Sequence, residues 1–241
     1  MKEFLQYDNV RNDALLLAHK IYQKDGFVPD IIYTSLRGGA YMANVISEYY
    51  KVALKNHKPV LYAAVVARSY SDVHKHESVR IDGWTYSPDY LRMGDKVMLV
   101  DDIFDSGRTL NYLVGILLEK GVPRENIKVV VHDYKIYKYK EQLPIQPDYW
   151  CRKFEIESPD DNPWINYNSH ELVGLTQTEL EQNFYAPYPE LREVLEPIFK
   201  DAVYKCSVPD VALVETCLWM YGFDVSGLKI VDYYNIFTFL N

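Results

Sequence analysis

The sequence predicts an α/β fold: a doubly wound, mostly parallel sheet followed by a mainly helical C-terminal extension. Short apolar runs rich in β-branched residues at 31–35, 61–69, 97–100 and 127–132 have the length and continuity of strands buried on both faces. Stretches with apolar residues at helical spacing separate them, and that alternation is how a parallel sheet with crossover helices reads in sequence. Two strand-to-helix junctions, 35–39 and 101–109, are built from small and charged residues. In such sheets the loops at the carboxyl ends of the strands face the ligand crevice.

In chain order, a first helix is predicted over 10–21, with Ala14, Leu15, Leu17, Ala18 and Ile21 at helical spacing, Asn12 or Asp13 near its start, and Asp25-Gly26 beyond its end. The strand at 31–35 leads through Leu36-Arg37-Gly38-Gly39 into a helix from about Ala40 to Tyr50. After the strand at 61–69 comes a polar stretch of about fifteen residues holding His74, Lys75, His76, Arg80 and Asp82, a length expected of a lid or hairpin. The His-Lys-His group reads as a solvated hairpin tip rather than a metal site. A helix follows the strand at 97–100 and runs from Leu110 to Lys120, and the strand at 127–132 lies beyond the Gly121-Val122-Pro123 turn. Past residue 175, Thr176-Gln177-Thr178-Glu179 has the pattern of a capping box. Helices near 190–204 and 208–221 and an aromatic tail at 230–240 complete the chain.

Composition excludes several classes. The 241 residues allow one ordinary domain plus an extension, divided here as 1–175 and 176–241. Apolar content of 48% suffices for a core, and a net charge of −8 argues against a dedicated nucleic-acid binder. No apolar run reaches membrane-spanning length, and the N-terminus lacks the pattern of a signal peptide. Cys151, Cys206 and Cys217 are odd in number and without metal-ligand spacing, so reduced thiols and a cytoplasmic location are expected. The 22 tyrosines point to nothing more specific than a moderately polar aromatic interface.

The chemistry concentrates in Val-Asp-Asp-Ile-Phe-Asp-Ser-Gly-Arg-Thr, residues 100–109. Asp101 and Asp102 end the strand and can hold a sugar diol or Mg²⁺. Asp105, Ser106, Gly107, Arg108 and Thr109 form a small-residue turn into a helix, where backbone N–H groups and hydroxyls suit an anion. At 36–39, two glycines let the backbone approach an anion closely, and Arg37 adds charge-assisted hydrogen bonds. A phosphate cradle beside a carboxylate pair suits a phosphorylated sugar.

These residues resemble the phosphoribosyl-pyrophosphate (PRPP) motif of the type I phosphoribosyltransferases, and most resemble its 6-oxopurine members. The similarity extends over about 9–175. It implies that the turn at 105–109 takes the 5′-phosphate and that Asp101 and Asp102 take the ribose hydroxyls, directly or through Mg²⁺. Leu36, Arg37 and Gly38 match the pyrophosphate loop, whose peptide bond at the Leu36-Arg37 position is often cis in the family. Ser69-Tyr70 matches the Ser-Tyr pair of the flexible loop that closes over PRPP and excludes water. Asp105 matches the general base or acid facing the purine imidazole nitrogens. Lys135, with Lys138 as the other candidate, matches the lysine that meets the 6-oxo group. Trp164-Ile165 matches the aromatic-aliphatic pair that stacks on the base and reads its 2-position edge, and Glu171 matches a Mg²⁺-binding acid. Two departures stand out: a longer interval from Asp148 to Trp164, and no arginine shortly after Glu171.

The resemblance implies a Mg²⁺-dependent transferase of purine salvage. PRPP and free hypoxanthine, guanine or xanthine would be its substrates, pyrophosphate and a nucleoside 5′-monophosphate its products, and a homodimer or homotetramer its assembly. Alternatives are a transferase for another heterocyclic base, a PRPP-fold regulator without transferase activity, and a scaffold subunit. For residues 176–241 the readings are packing, oligomerisation or partial covering of the site.

Overall fold

The computed structural model describes residues 2–55, 58–71, 77–168, 171–172 and 175–205. The expected hairpin tip at His74-Lys75-His76, the helix at 208–221, the aromatic tail, Cys206 and Cys217 lie outside the described residues. The chain divides into two compact units, Met1–Glu171 and Leu172–Asn241.

The first unit runs β1 (Lys2–Leu5), α1 (Tyr7–Asp25), β2 (Ile31–Leu36), α2 (Ala40–Ala53), β3 (Leu61–Ser71), β4 (Glu77–Trp84), β5 (Val97–Phe104), α3 (Arg108–Glu119), β6 (Ile127–Tyr137), β7 (Tyr149–Ile156) and β8 (Trp164–Tyr167). Six of these strands form a sheet of order β4-β3-β2-β5-β6-β7, parallel throughout except for the antiparallel β3–β4 hairpin. Of the long polar stretch after residue 69, residues 77–84 form the second strand of that hairpin.

Alternation along the strands assigns the two faces. Ile32, Met98, Val100 and Val130 pack with Leu17, Ile21, Met42 and Ile46 of α1 and α2. Ile31, Tyr33, Val97, Leu99, Val129 and Val131 pack with Leu110, Leu113 and Leu117 of α3. Helices on both faces make the sheet doubly wound, as the near-continuous apolar strands require.

Three boundaries differ from the expected ones. Helix α1 begins at Tyr7, a turn ahead of residue 10, because Val10 is already buried with Ala14, Leu17, Ala18 and Ile21 and needs helical backbone before it. Asp13 therefore sits inside the helix, where its Oδ2 lies 3.2 Å from His132 Nε2. The left-handed Gly26 (φ 59°) ends the helix, as the Asp-Gly signal suggested. Strands β5 and β6 run on to Phe104 and Tyr137, with Asp101 paired to Val131 and Ile103 to Asp133. Asp101 and Asp102 thus lie within β5, and Lys135 within β6. A further two-stranded parallel sheet, β1 with β8, pairs Lys2 with Trp164 and Leu5 with Tyr167.

A buried carboxylate ties these layers together. Asp133 on β6 accepts from Arg152 Nε (2.6 Å) and Nη2 (2.9 Å) on β7 and from the Tyr167 hydroxyl (2.5 Å) on β8. Arg152 also pairs with Glu3 on β1. Burial alone would raise the Asp133 pKa, but His132, Arg152 and Tyr167 reverse this and hold the carboxyl below its ordinary value. Its contribution to stability is therefore present above the ordinary carboxylate range and is lost as the pH falls from there through the lowered pKa. Arg152→Met, which leaves this carboxylate without its cation, should destabilise the protein by about 3 kcal/mol at neutral pH. Urea unfolding measures this, and a loss below about 0.5 kcal/mol would show that the pair contributes little.

In the second unit, Thr176 Oγ1 accepts from the Glu179 amide (3.3 Å) while Glu179 Oε2 accepts from the Thr176 amide (2.8 Å), completing the expected capping box. It opens α4 (Gln177–Leu180), which continues as a π-turn, Glu181–Tyr185, ahead of α5 (Leu191–Lys205). Among the described residues no helix is long and apolar enough to cross a membrane.

Candidate active site

The chain leaves β2 toward β3 on one side, while β5 lies on the other, so the loops after β2 and β5 flank a topological switch point. The loop after β2 carries a cis peptide bond between Leu36 and Arg37. Arg37 is exposed, and Gly38 and Gly39 lie directly on the end of β5. A Cβ on Gly38 would sit 2.3 Å from the Asp102 carboxyl group, and one on Gly39 would sit 2.4 Å from the Val100 carbonyl oxygen. The end of β5 fills the space at both positions, with a side chain at Gly38 and with backbone at Gly39.

At the end of β5, Asp101 is buried and Asp102 half-buried. The Asp102 amide donates to Asp101 Oδ1 (3.0 Å), and the Ile103 amide donates to Asp102 Oδ1 (2.8 Å). Burial raises the Asp101 pKa well above its ordinary value, and the neighbouring Asp102 charge raises it further. A cation would relieve both effects. The all-oxygen donor set suits Mg²⁺, which takes one or two carboxylates and completes its shell with water and substrate oxygens. Glu171 is not gathered with this pair: its Oε2 accepts from the Tyr167 amide (3.3 Å), and no group of three potential ligands forms among the described residues.

Past Phe104 the chain turns through Asp105 and Ser106 to Gly107, whose φ of 74° places it in the left-handed region. A Cβ there would meet the Phe104 ring at 2.2 Å, so the ring beneath the turn also requires glycine. Helix α3 then starts at Arg108 without a side-chain cap. Asp101 to Ile103 and Asp105 to Leu110 line a cleft of about 220 Å³, with the helix N-terminus as one wall.

On the adjoining strand β6, Asp133, Lys135 and Tyr137 share one face. Lys135 is buried; its Nζ donates to the Pro163 carbonyl (2.9 Å) and lies 3.7 Å from Asp105 Oδ2. Burial lowers the Lys135 pKa, while Asp105 and Asp133 oppose the shift. Lys138 faces outward and pairs with Glu155 at 3.2 Å, so of the two lysines only Lys135 stands beside Asp105. The Tyr137 hydroxyl donates to Asp105 Oδ1. Next to Pro163, Trp164 is 62% exposed, whereas Ile165 is buried in the core shared with α1 and α2. The longer interval before Trp164 is taken up by the full length of β7 and the 3-10 turn Pro159–Asp161. Just ahead of β7, Asp148 accepts from the Val129 amide (2.7 Å) and from Arg124 (3.1 Å). Ser69 and Tyr70 lie in β3, with their side chains outside the described residues.

The model of the phosphoribosyl transferase domain matches residues 2–167, which takes in both loops and every strand of the first unit. The chain belongs to the type I phosphoribosyltransferases. Among curated relatives, the bifunctional protein PyrR of Brevibacillus brevis is 28% identical over 141 residues, 58% of this chain and 75% of that protein. The protein of the same name from Microcystis aeruginosa is 27% identical over 179 residues, 74% of this chain and 96% of that one. Two solved structures share the fold. A purine phosphoribosyltransferase from Pyrococcus horikoshii superposes with a TM-score of 0.54 at 20% identity, covering 73% of this chain and 99% of that one. A Neisseria gonorrhoeae protein with bound ppGpp gives 0.52 at 22%, covering 72% and 92%.

Sequence reading of this phosphoribosyltransferase missed Tyr137 and Tyr167 at the site. Tyr167 lies 3.1 Å from the Asp102 carbonyl oxygen as well as against Asp133, and so links β8 to the carboxylate end of β5. The available signal was the polar alternation Asp133, Lys135, Tyr137 following the apolar run Val129 to Val131.

Proposed function

We propose that this phosphoribosyltransferase transfers the phosphoribosyl group of PRPP to a 6-oxopurine, giving a nucleoside 5′-monophosphate and pyrophosphate. The observation that carries the choice of base is the buried Lys135 ammonium, held between the Pro163 carbonyl and Asp105, with the exposed Trp164 following Pro163 in the chain. A fixed donor, a carboxylate and an aromatic face together suit a flat heterocycle with a carbonyl oxygen and an ionisable ring N–H.

The turn at 105–109 binds the 5′-phosphate, and Asp101 and Asp102 hold the ribose hydroxyls. Leu36, Arg37 and Gly38 hold the pyrophosphate, with Arg37 facing the charge that develops as it leaves. Asp101 and Asp102 would hold Mg²⁺, which would supply further neutralisation of that charge. The base nitrogen bonds to the ribose C1′ as the bond from C1′ to the pyrophosphate oxygen breaks, and Asp105 accepts the proton that the base gives up. Lys135 donates to the 6-oxo oxygen, Trp164 stacks on the ring and the backbone at Ile165 reads the 2-position edge. Ser69 and Tyr70 belong to the loop that closes over PRPP, and Glu171 would be a further Mg²⁺ ligand.

Initial-rate kinetics on two variants test the base side. Lys135→Met should raise KM for the base about 10- to 100-fold through loss of a charged hydrogen bond. Trp164→Ala should raise it roughly 5- to 100-fold through loss of stacking. KM for PRPP should stay within about twofold in both, since neither group faces the phosphates. Equal rises for PRPP and base would overturn the assignment.

A second reading has its own support: the curated relatives carry the name bifunctional protein PyrR, which names no purine. It makes the chain a transferase for another heterocycle or a PRPP-fold regulator. Uracil turnover, or PRPP binding without turnover of any base, would favour it.

A further inference from the structure

Asp105 stands on an exposed turn, its side chain 51% accessible, where a carboxylate would ordinarily rotate. Proton transfer to a bound base needs that carboxylate fixed within hydrogen-bond reach. Among the described residues two groups face it, both from β6: the Tyr137 hydroxyl on Oδ1, and Lys135 Nζ at 3.7 Å from Oδ2. We propose that Tyr137 is a positioning residue, whose hydroxyl pins one oxygen of Asp105 so that the other meets the base. The inference rests on the reading of Asp105 as the group that exchanges a proton with the base.

The donor is itself firmly held. Tyr137 is 7% exposed, its ring lies edge-on to Tyr139 (5.7 Å between centroids) and Lys140 Nζ is 4.4 Å from its centroid. Gln142 Nε2 donates to its carbonyl oxygen (2.8 Å), and its backbone pairs with Ile156 of β7. The acceptor's turn is tied to the same neighbourhood by Asn111 on α3. Its Nδ2 donates to Gly107 O (3.0 Å) and to Ile145 O (2.8 Å), and its Oδ1 accepts from the Ile145 amide (2.9 Å). The turn carrying Asp105 and the loop following Tyr137 are therefore clamped in one register. Burial and the adjacent Asp105 raise the Tyr137 pKa, so the phenol stays protonated and donates to that carboxylate. Oδ1 is thereby committed to the protein, and Oδ2 is the oxygen presented on the Lys135 side, where the base carbonyl would lie.

The test is Tyr137→Phe in the full chain, alone and combined with Asp105→Asn, with initial rates measured against PRPP and the base. Phe keeps the ring packing and removes only the hydroxyl. The expected result is a fall in kcat of about 10- to 100-fold, with both KM values within about twofold and the thermal midpoint unchanged. In the Asp105→Asn background the second substitution should cost less than about twofold, because its effect acts through that carboxylate. Retained kcat in Tyr137→Phe, or a loss that multiplies in the double variant, would overturn the inference while leaving the role of Asp105 standing. Full activity of Asp105→Asn alone would overturn that role, and this inference with it.

Discussion

Asp105→Asn is expected to lower turnover about 10²- to 10⁴-fold while leaving PRPP affinity within about twofold. The amide keeps the size of the side chain and the course of the turn, so the backbone groups at 106–109 still meet a phosphate. What it loses is the capacity to take a proton, on a group that stands 3.7 Å from the Lys135 ammonium and outside the Asp101–Asp102 pair. Single-turnover kinetics beside PRPP titration separate the two quantities. Equal losses in turnover and PRPP affinity would place Asp105 in sugar-phosphate binding and remove it from the proton transfer.

The paired glycines after β2 should behave differently from one another, with effects nearly as large. A methyl on Gly38 meets the Asp102 carboxyl group at 2.3 Å, the end of a side chain that can swing aside. Gly38→Ala should therefore fold with an almost unchanged thermal midpoint but bind PRPP about 10- to 100-fold more weakly, because the displaced carboxylate belongs to the ribose and Mg²⁺ site. A methyl on Gly39 meets the Val100 carbonyl oxygen at 2.4 Å and Asp101 Cα at 2.8 Å, both in the backbone of a central strand. That strand cannot yield cheaply, so Gly39→Ala should lose about 3 kcal/mol of stability, roughly 6–12 °C in midpoint, as well as PRPP binding. Similar behaviour of the two variants in thermal scans would show that the loop moves as a whole and that its contact with β5 is not limiting.

Much of this site was legible in the sequence because its central parts are contiguous. Strand, carboxylate pair, turn and helix start all fall within 97–110, and the glycines of the facing loop within 36–39. Local chemistry alone identifies such stretches. The choice between Lys135 and Lys138 needed the strand to be longer than its apolar core. Once β6 runs to Tyr137, alternation turns Lys135 inward beside Asp133 and Tyr137, and Lys138 lies outside with Glu155. The β1–β8 sheet was not legible, since each strand has four residues and their pairing joins distant parts of the chain. Tyr167 and Arg152 act across strands on a carboxylate that sequence alone would place in an apolar run. Such residues read as ordinary surface tyrosine and arginine until the sheet order is known. For Glu171 the motif spacing offered a metal ligand, and the fold adds a hydrogen bond that spacing does not show, accepted from the Tyr167 amide.

The most direct measurement is a Mg²⁺-dependent spectrophotometric assay with PRPP and a panel of free bases: hypoxanthine, guanine, xanthine, adenine, orotate and uracil. Turnover confined to the three 6-oxopurines is the expected result, with Lys135→Met abolishing the preference over adenine. Turnover of uracil or orotate in their place would keep the PRPP site and contradict the base pocket built from Lys135 and Trp164. PRPP binding without turnover of any base would contradict the assignment of a transferase activity to this chain.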